Sequence, residues 1–538
     1  MAVRGNEQKR KRKRQRTNIS RVDRLSSLPD DILIEIISRL PFPLAMATGY
    51  LSKRWCGLWT NVTSIHIDSN KFDCFRGLDT TTFNNIITRI ASPLIHSLTV
   101  NFGDRQHMGN VQYPMPSLDY SWLRQICDRN VRELKLTNTS YYRKVTQYDR
   151  RQHVSWVQSR YEVPIFTLPS FICVTQSLVS MELDAKFKLQ LPDNEVPINL
   201  PNLKKLHLCS PTMSFKSVET VIKACPSLEE LSFEYSSYCS SPSFRRRNII
   251  RDPNIIRRTT MRPRYIKLSQ QPDYYIKLSH ENLRRLFIKN IPCTYGFVLY
   301  VPKLEYLGIR VPKLLTVCFE EEPMVSCQAE ISITDAAARY SYGYTKDEMR
   351  LMSKFYGVFC NVTIHTPYAF VLEKPSSMFG NATRLTLLMN TSHDINTLLE
   401  ILKLCPVLDV LTLKIRDPYV GEWAPKTRSK DSSSILQPVL KTIKIETKWD
   451  NYCKTTKYFI DLVQYLLSNT VDLEHFHIKT DWRYHKMGCI KLAQNREREL
   501  CKLLYQCPVI SAGCEVQFVG RLFNMSWKAG QNIWSSPS

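Results

Sequence analysis

Apolar residues recur along most of the chain in one six-residue pattern, apolar-x-x-apolar-x-apolar. Ten copies stand at 95–100, 131–136, 178–183, 203–208, 228–233, 283–288, 304–309, 408–413, 440–445 and 473–478. The last four positions alternate, as in Leu203-Lys-Lys-Leu206-His-Leu208, which predicts a strand with one buried face. Helical spacing precedes several copies. Val218, Val221, Ile222 and Cys225 fall at i, i+3, i+4 and i+7, and Pro226 follows. Ile395, Leu398, Leu399 and Leu402 repeat that spacing before Cys405-Pro406. Phe459, Leu462, Val463 and Leu466 do so again, and Leu500, Leu503, Leu504 and Cys507 do so before Pro508. A helix followed by a strand, used repeatedly, buries its stripe only against neighbouring copies.

From Val131 the copies start 47, 25, 25, 55, 21, 104, 32 and 33 residues apart. Steps of 21–33 overlap the period of leucine-rich repeats, about 20–29 residues. The longer steps imply insertions or degenerate copies, and the 104-residue gap holds a weak one near Ala382–Leu387. A doubly wound enzyme would need a Gly-rich phosphate turn, and neither GxGxxG nor GxxxxGK[ST] occurs among the 16 glycines.

The N-terminal pattern differs. Leu28, Ile32, Ile36 and Leu40 recur every four residues with Leu33 and Ile37 beside them, one apolar face of a helix that Pro29, Asp30 and Asp31 open and Pro41 and Pro43 end. A second apolar segment, Leu44–Leu51, contains Gly49, which weakens it as a helix. A third, Ser52–Trp59, sets Trp55 and Trp59 four residues apart on one helix face. About forty residues cannot easily build a stable core alone. Two readings stand side by side here: a helical cap on the domain that follows, or a docking surface completed by a partner.

Leu28-Pro29-Asp30-Asp31-Ile32-Leu33, Ile36, Leu40-Pro41, then Leu51-Ser52-Lys53-Arg54-Trp55 and Leu58-Trp59 resemble an F-box of the plant type. Pro43 and the pair Gly49-Tyr50 depart from that pattern. Leu440–Ile445, the helix around Leu462–Leu467, Leu473–Phe476 and Cys507-Pro508 through Phe518 look like an FBD region. From about Arg24 to Gly520 the chain is therefore similar to F-box/FBD/LRR-repeat proteins. The resemblance implies an α/β fold: a small all-α three-helix F-box, an irregular leucine-rich-repeat solenoid, and an FBD-type α/β cap. It implies a Skp-type adaptor as partner, through it a cullin–RING ubiquitin ligase, and a protein substrate. The adaptor-binding residues would be Leu28, Pro29, Ile32, Ile36, Leu40, Leu51, Trp55 and Trp59. The expected segments are a disordered basic tail (1–22), the F-box (23–67), the repeats (68–430), the FBD region (431–520) and a polar tail (521–538).

Composition adds charge to this picture. The 538 residues are 43% hydrophobic and 23% charged, ordinary for a globular protein, but the net charge is +25. Eight basic residues against one acid fall in residues 1–16, including the run from Lys9 to Arg14. That run fits a nuclear localisation signal or a nucleic-acid patch, with a solubilising tail as the plain alternative. The expected location is the nucleus, the cytoplasm or both. A second basic cluster, Arg245, Arg246, Arg247, Arg251, Arg257 and Arg258 onward to Lys267, lies in the 55-residue step. It is a candidate contact for a polyanion or an acidic target, or a solvated loop. The rival function is thus a basic scaffold for nucleic acid with the helical unit as a cap. No apolar segment follows the basic run as a secretory signal needs, and the uncharged stretch Val163–Met181 is broken by Pro164 and Pro169.

Candidate chemistry is sparse. Seventeen cysteines form no CxxC, and several, such as Cys173, Cys209 and Cys405, sit in apolar runs as buried small hydrophobes. HExxH, GxSxG and EF-hand loops are absent. His475 and His477 share a strand face, the spacing of a metal pair or of a solvated sheet. Glu320-Glu321-Glu322 is a contiguous loop run rather than two acids across a cleft. The sequence predicts no catalysis of its own, no metal and no cofactor.

Overall fold

The computed structural model describes residues 25, 27–68, 80–101, 121–137, 142–144, 160–162, 166–184, 187–189, 198–209, 215–234, 275–291, 296–311, 317–323, 326–333, 346–365, 378–389, 395–416, 440–449, 457–482 and 490–530. The chain divides into two compact units, Met1–Ser140 and Tyr141–Ser538.

The first unit opens with helices Asp30–Ser38 and Phe42–Ala47. Pro29 precedes the first helix, and Asp30 and Asp31 complement its dipole. Pro43 lies in the first turn of the second, where no intrahelical N–H is required, while the Leu44 and Ala45 amides donate to the Pro41 carbonyl. The departure at Pro43 is therefore compatible with the helix. Beyond Ala47 the chain tightens into a 3₁₀ turn, Thr48–Tyr50, around Gly49. The predicted third α-helix is instead a 3₁₀ helix, Trp55–Asn61. With three residues per turn, i and i+3 eclipse, so Leu58 rather than Trp59 shares the buried side with Trp55.

Strands Ser64–Asp68, Ser97–Asn101 and Glu133–Thr137 follow, parallel and in register, with Ile65, Leu98 and Leu134 in one buried row. Helices Thr80–Thr88 and Ser121–Cys127 connect them. Ser64–Asp68 had no predicted counterpart, although Val62-x-x-Ile65-x-Ile67 carries the same pattern.

In the second unit thirteen strands form one sheet in chain order. The first twelve are parallel and the last, Asn524–Lys528, is antiparallel. All ten sequence patterns are strands, eight of them in this sheet, and each strand begins two residues after the first apolar position. Among the described residues the 104-residue gap adds three strands to this sheet, Gln328–Ile333, Asn361–Ile364 and Arg384–Met389. One inward row runs through Leu206, Leu231, Leu286 and Leu307 to Phe476 and Val516, all buried. The sheet continues in register from the repeats into the C-terminal segment, where helices Lys457–Asn469 and Ile490–Tyr505 alternate with strands. Leu503 was expected on the buried stripe but is exposed, and Cys501 takes its place.

Tyr356 closes helix Lys346–Tyr356 in an aromatic cluster with Phe355 and Phe379. Its hydroxyl is buried without a hydrogen-bond partner among the described residues. Leaving such a group unpaired costs about 1–3 kcal/mol. Tyr356→Phe is therefore expected to stabilise this helix by about 1 kcal/mol. Slower amide exchange across residues 350–360 checks it; faster exchange would show that the hydroxyl is satisfied.

Among the described residues no helix is long and apolar enough to cross a membrane.

Candidate functional site

The first helix has two apolar faces. Leu33 and Ile37 are fully buried, together with Phe42, Ala45, Trp55, Leu58 and Val62. This inner side joins the helical unit to the first strand. The Ser38 hydroxyl accepts the Thr63 amide at 3.1 Å, and the Thr60 carbonyl accepts the amides of Ala91 at 2.7 Å and Ser92 at 3.3 Å. The outer side carries Ile32 (48% exposed), Ile36, Leu44 and Leu51 (65% exposed), with Leu25 and Tyr50 also exposed. Contiguous exposed apolar patches are a common feature of interaction surfaces. The helical unit thus packs one apolar face inward and leaves large apolar groups exposed on the other.

The expected adaptor-binding residues divide accordingly. Pro29, Ile32, Ile36 and Leu51 are exposed, while Leu28, Leu40 and Trp59 are half-buried. Trp55 is the correction: at 5% exposure it belongs to the inner core, because the 3₁₀ helix turns it inward beside Leu58. Trp59 packs edge-on against Phe42 with ring centroids 6.1 Å apart.

Arg54 is a positioning residue that pattern reading missed. Its guanidinium donates to Asp30 Oδ1 at 2.8 Å and to the Leu28 carbonyl at 2.6 Å. It therefore pins the start of the first helix, and Leu28-Pro29 with it, to the third segment. The signal was present in the sequence as a lone arginine within LSKRW and an acid pair after LP. Leu44 and Tyr50 were also missed as outward groups.

The outward face of the second unit's sheet holds the other polar constellations. The Tyr306 hydroxyl donates to Glu330 Oε2, and His365 Nε2 lies 2.6 Å from Glu330 Oε1. Partial burial would raise the Glu330 pKa, but the Tyr306 and His365 hydrogen bonds outweigh it and hold the carboxyl below its usual value. Arg285 stacks over both Phe287 and Tyr306, 5.7 and 5.6 Å from the ring centroids. Gly308 makes room for this stack, since a Cβ there would come within 2.7 Å of Phe287 Cδ1.

His475 and His477 stack at 5.9 Å, and each faces the next strand: His475 Nδ1 is 3.7 Å from Glu515 and His477 Nδ1 is 2.8 Å from Gln517. Among the described residues no group of three or more His, Cys, Asp or Glu side chains is arranged to hold a metal ion. Burial pushes the thiols of Cys173, Cys225, Cys327, Cys405 and Cys501 up to about 12, which keeps them protonated and unreactive. Glu320 pairs with Lys277 at 3.0 Å. The basic run Lys9 to Arg14 and the cluster Arg245, Arg246, Arg247, Arg257 and Arg258 lie outside the described residues.

Comparison with known proteins places names on this geometry. The F-box domain family matches residues 25–66. The family described as the LRR repeats of FBD-associated F-box protein At5g56370 matches residues 120–322. The F-box/FBD/LRR-repeat protein At5g22660 of Arabidopsis thaliana is 24% identical over 92% of this chain and 96% of its own length. FBD-associated F-box protein At3g52670, from the same plant, is 28% identical over 39% of this chain and 42% of its own length. F-box/FBD/LRR-repeat protein At2g04230, also from Arabidopsis thaliana, is 30% identical over 40% and 43%. The chain thus spans less than half the length of the latter two. Residues 25–66 are thus similar to F-box domains, and residues 120–322 to the leucine-rich repeats of FBD-associated F-box proteins.

Proposed function

We propose that this chain, with an N-terminal F-box and a leucine-rich-repeat body, is the substrate-recognition subunit of an SCF-type ubiquitin ligase. The observation that carries the reading is the outward apolar face of the F-box, Ile32, Ile36, Leu44 and Leu51, on a unit whose inner face is already filled. A Skp-type adaptor covers that face, and a cullin–RING pair follows the adaptor. The repeat body binds a protein target. The chain itself is non-catalytic: it raises the local concentration of target lysines near a charged ubiquitin carrier, and the thioester chemistry belongs to the partners. The buried, protonated thiols described above fit that division of labour.

Reconstitution tests this role. The full chain is combined with adaptor, cullin–RING and a ubiquitin-charged carrier enzyme. Lysines on this chain are expected to accept ubiquitin only when the adaptor is present. Transfer that ignores the adaptor, or no transfer in an assembled complex, would contradict the proposal.

A further inference from the structure

One stretch of the outward face of the second unit's sheet is rich in unengaged donors. Thr363, Thr386, Thr412, Lys444 and His477 stand in a single register row across five adjacent parallel strands. Their chain neighbours Val362, Leu385, Leu411, Ile443 and Phe476 are buried, so the row lies on the opposite, outward face. Strand spacing sets successive members about 4.8 Å apart. The threonines are half-buried and Lys444 is exposed. Among the described residues none of the three threonine hydroxyls has a hydrogen-bond partner, and Lys444 has no ion pair. His477 closes the row with its Nδ1 on Gln517 at 2.8 Å.

Positive charge gathers around the same row. Arg384 stands two residues before Thr386, and Lys479 two residues after His477. Both are exposed and without an ion pair among the described residues. Lys414, two residues after Thr412, pairs with Glu446 at 3.7 Å, so the acid beside the row is already offset. A second acid, Asp481, lies next to Lys448, four residues beyond the row. A hydroxyl donates one hydrogen bond and an ammonium group three, and such bonds strengthen when the acceptor is ionised. Neighbouring hydroxyls with a free ammonium on the next strand are therefore a receptor for an oxyanion.

We propose that this row is the part of the repeat body that receives a carboxylate, of aspartate or glutamate, from an acidic segment of the protein target. The Thr386 and Thr412 hydroxyls donate to the carboxylate, Lys444 supplies the opposing charge from the next strand, and Arg384 and Lys479 flank it. Discrete carboxylates suit this face better than a continuous phosphate backbone, because Glu446 and Asp481 interrupt its positive field. The row runs from the repeats into the C-terminal segment, so the two hold one target together. This inference rests on the reading of the repeat body as the target-binding part.

The test uses the full chain and a fluorescein-labelled peptide of alternating glutamate and glycine, followed by fluorescence anisotropy at moderate salt. Lys444→Gln with Lys479→Gln is expected to weaken binding about tenfold. Thr386→Val with Thr412→Val is expected to weaken it about threefold at unchanged charge. That variant stays folded, since valine keeps the β-branched shape that strands favour and neither hydroxyl has a bond to lose. Lys223→Gln with Lys354→Gln, exposed lysines on helices Phe215–Lys223 and Lys346–Tyr356, should leave affinity unchanged. Equal losses in the two lysine variants, or full affinity in the threonine variant, would overturn the proposal. An oligothymidylate of the same length that displaces the peptide, and that loses affinity in the same variants, would overturn the assignment to a protein segment. Adaptor binding is read separately: a chain that holds the peptide but not the adaptor contradicts the ligase role and leaves this site standing, and the converse result overturns the site alone.

Discussion

Replacing Ile32 and Leu51 together by aspartate is expected to abolish the proposed binding to a Skp-type adaptor and to leave the repeat body folded. Both side chains are exposed, at 48% and 65%, on the outer face of the F-box. Each is an apolar anchor at the centre of the proposed interface, and losing such an anchor costs about 2 kcal/mol or more. Two losses correspond to roughly a thousandfold weaker complex, before the cost of burying two carboxylates is added. Because neither residue supports the inner core, hydrogen exchange across residues 30–62 should stay unchanged. Leu28→Ala with Pro29→Ala acts at the same surface, with a smaller effect because Leu28 is half-buried. Trp55→Ala also lowers binding, but by a different route: the residue is buried, so its removal opens the core and speeds exchange throughout the unit. Full adaptor binding by the double aspartate variant would place the interface elsewhere.

The second large effect is expected at the far end of the chain. Glu497, on helix Ile490–Tyr505, is wholly buried. Its carboxylate accepts the amides of Arg521 at 3.1 Å and Leu522 at 2.8 Å, in the turn between strands Glu515–Val519 and Asn524–Lys528. The same turn closes through the Gly520 amide to the Phe523 carbonyl at 2.9 Å. Glu497→Ala leaves two amides without that acceptor and a void where the carboxylate was, a loss of about 3 kcal/mol. Amides of residues 515–528 should then exchange about a hundredfold faster. Gly520→Ala should loosen the same hairpin, since a Cβ there would lie 2.4 Å from Glu497 Oε2 and 2.8 Å from the Phe523 carbonyl oxygen. Unchanged protection in both variants would mean that the hairpin is held by the Val516 and Phe518 side chains alone. The hairpin matters because its antiparallel outer strand ends the parallel sheet.

Much of the second unit was legible because the pattern states its own geometry. Leu203, Leu206 and Leu208 mark one face, and the strand begins at Lys205. The pattern fails where one anchor changes. Ser326 stands where Gln328–Ile333 would need its first apolar residue, and Gly513 does the same before Glu515–Val519. Helix periodicity misled at the third F-box segment and at Leu503, where local winding and neighbouring contacts, rather than spacing, decide which side is inward. The site was legible in part. Alternating leucines and isoleucines in Leu28–Leu40 announce a helix, but not which of its two apolar stripes the chain keeps for itself. The roles of Arg54 and Glu497 do not follow from pattern, because they depend on hydrogen bonds to backbone groups 26 and 24–25 residues away.

The central claim is that the outer face of the F-box docks an adaptor, and calorimetric titration of the purified full chain with a Skp-type adaptor at low and high salt tests it most directly. The account predicts a one-to-one complex whose affinity changes little with salt, since the interface centre is apolar. No heat of binding from a folded chain, or binding that collapses as salt rises, would contradict it.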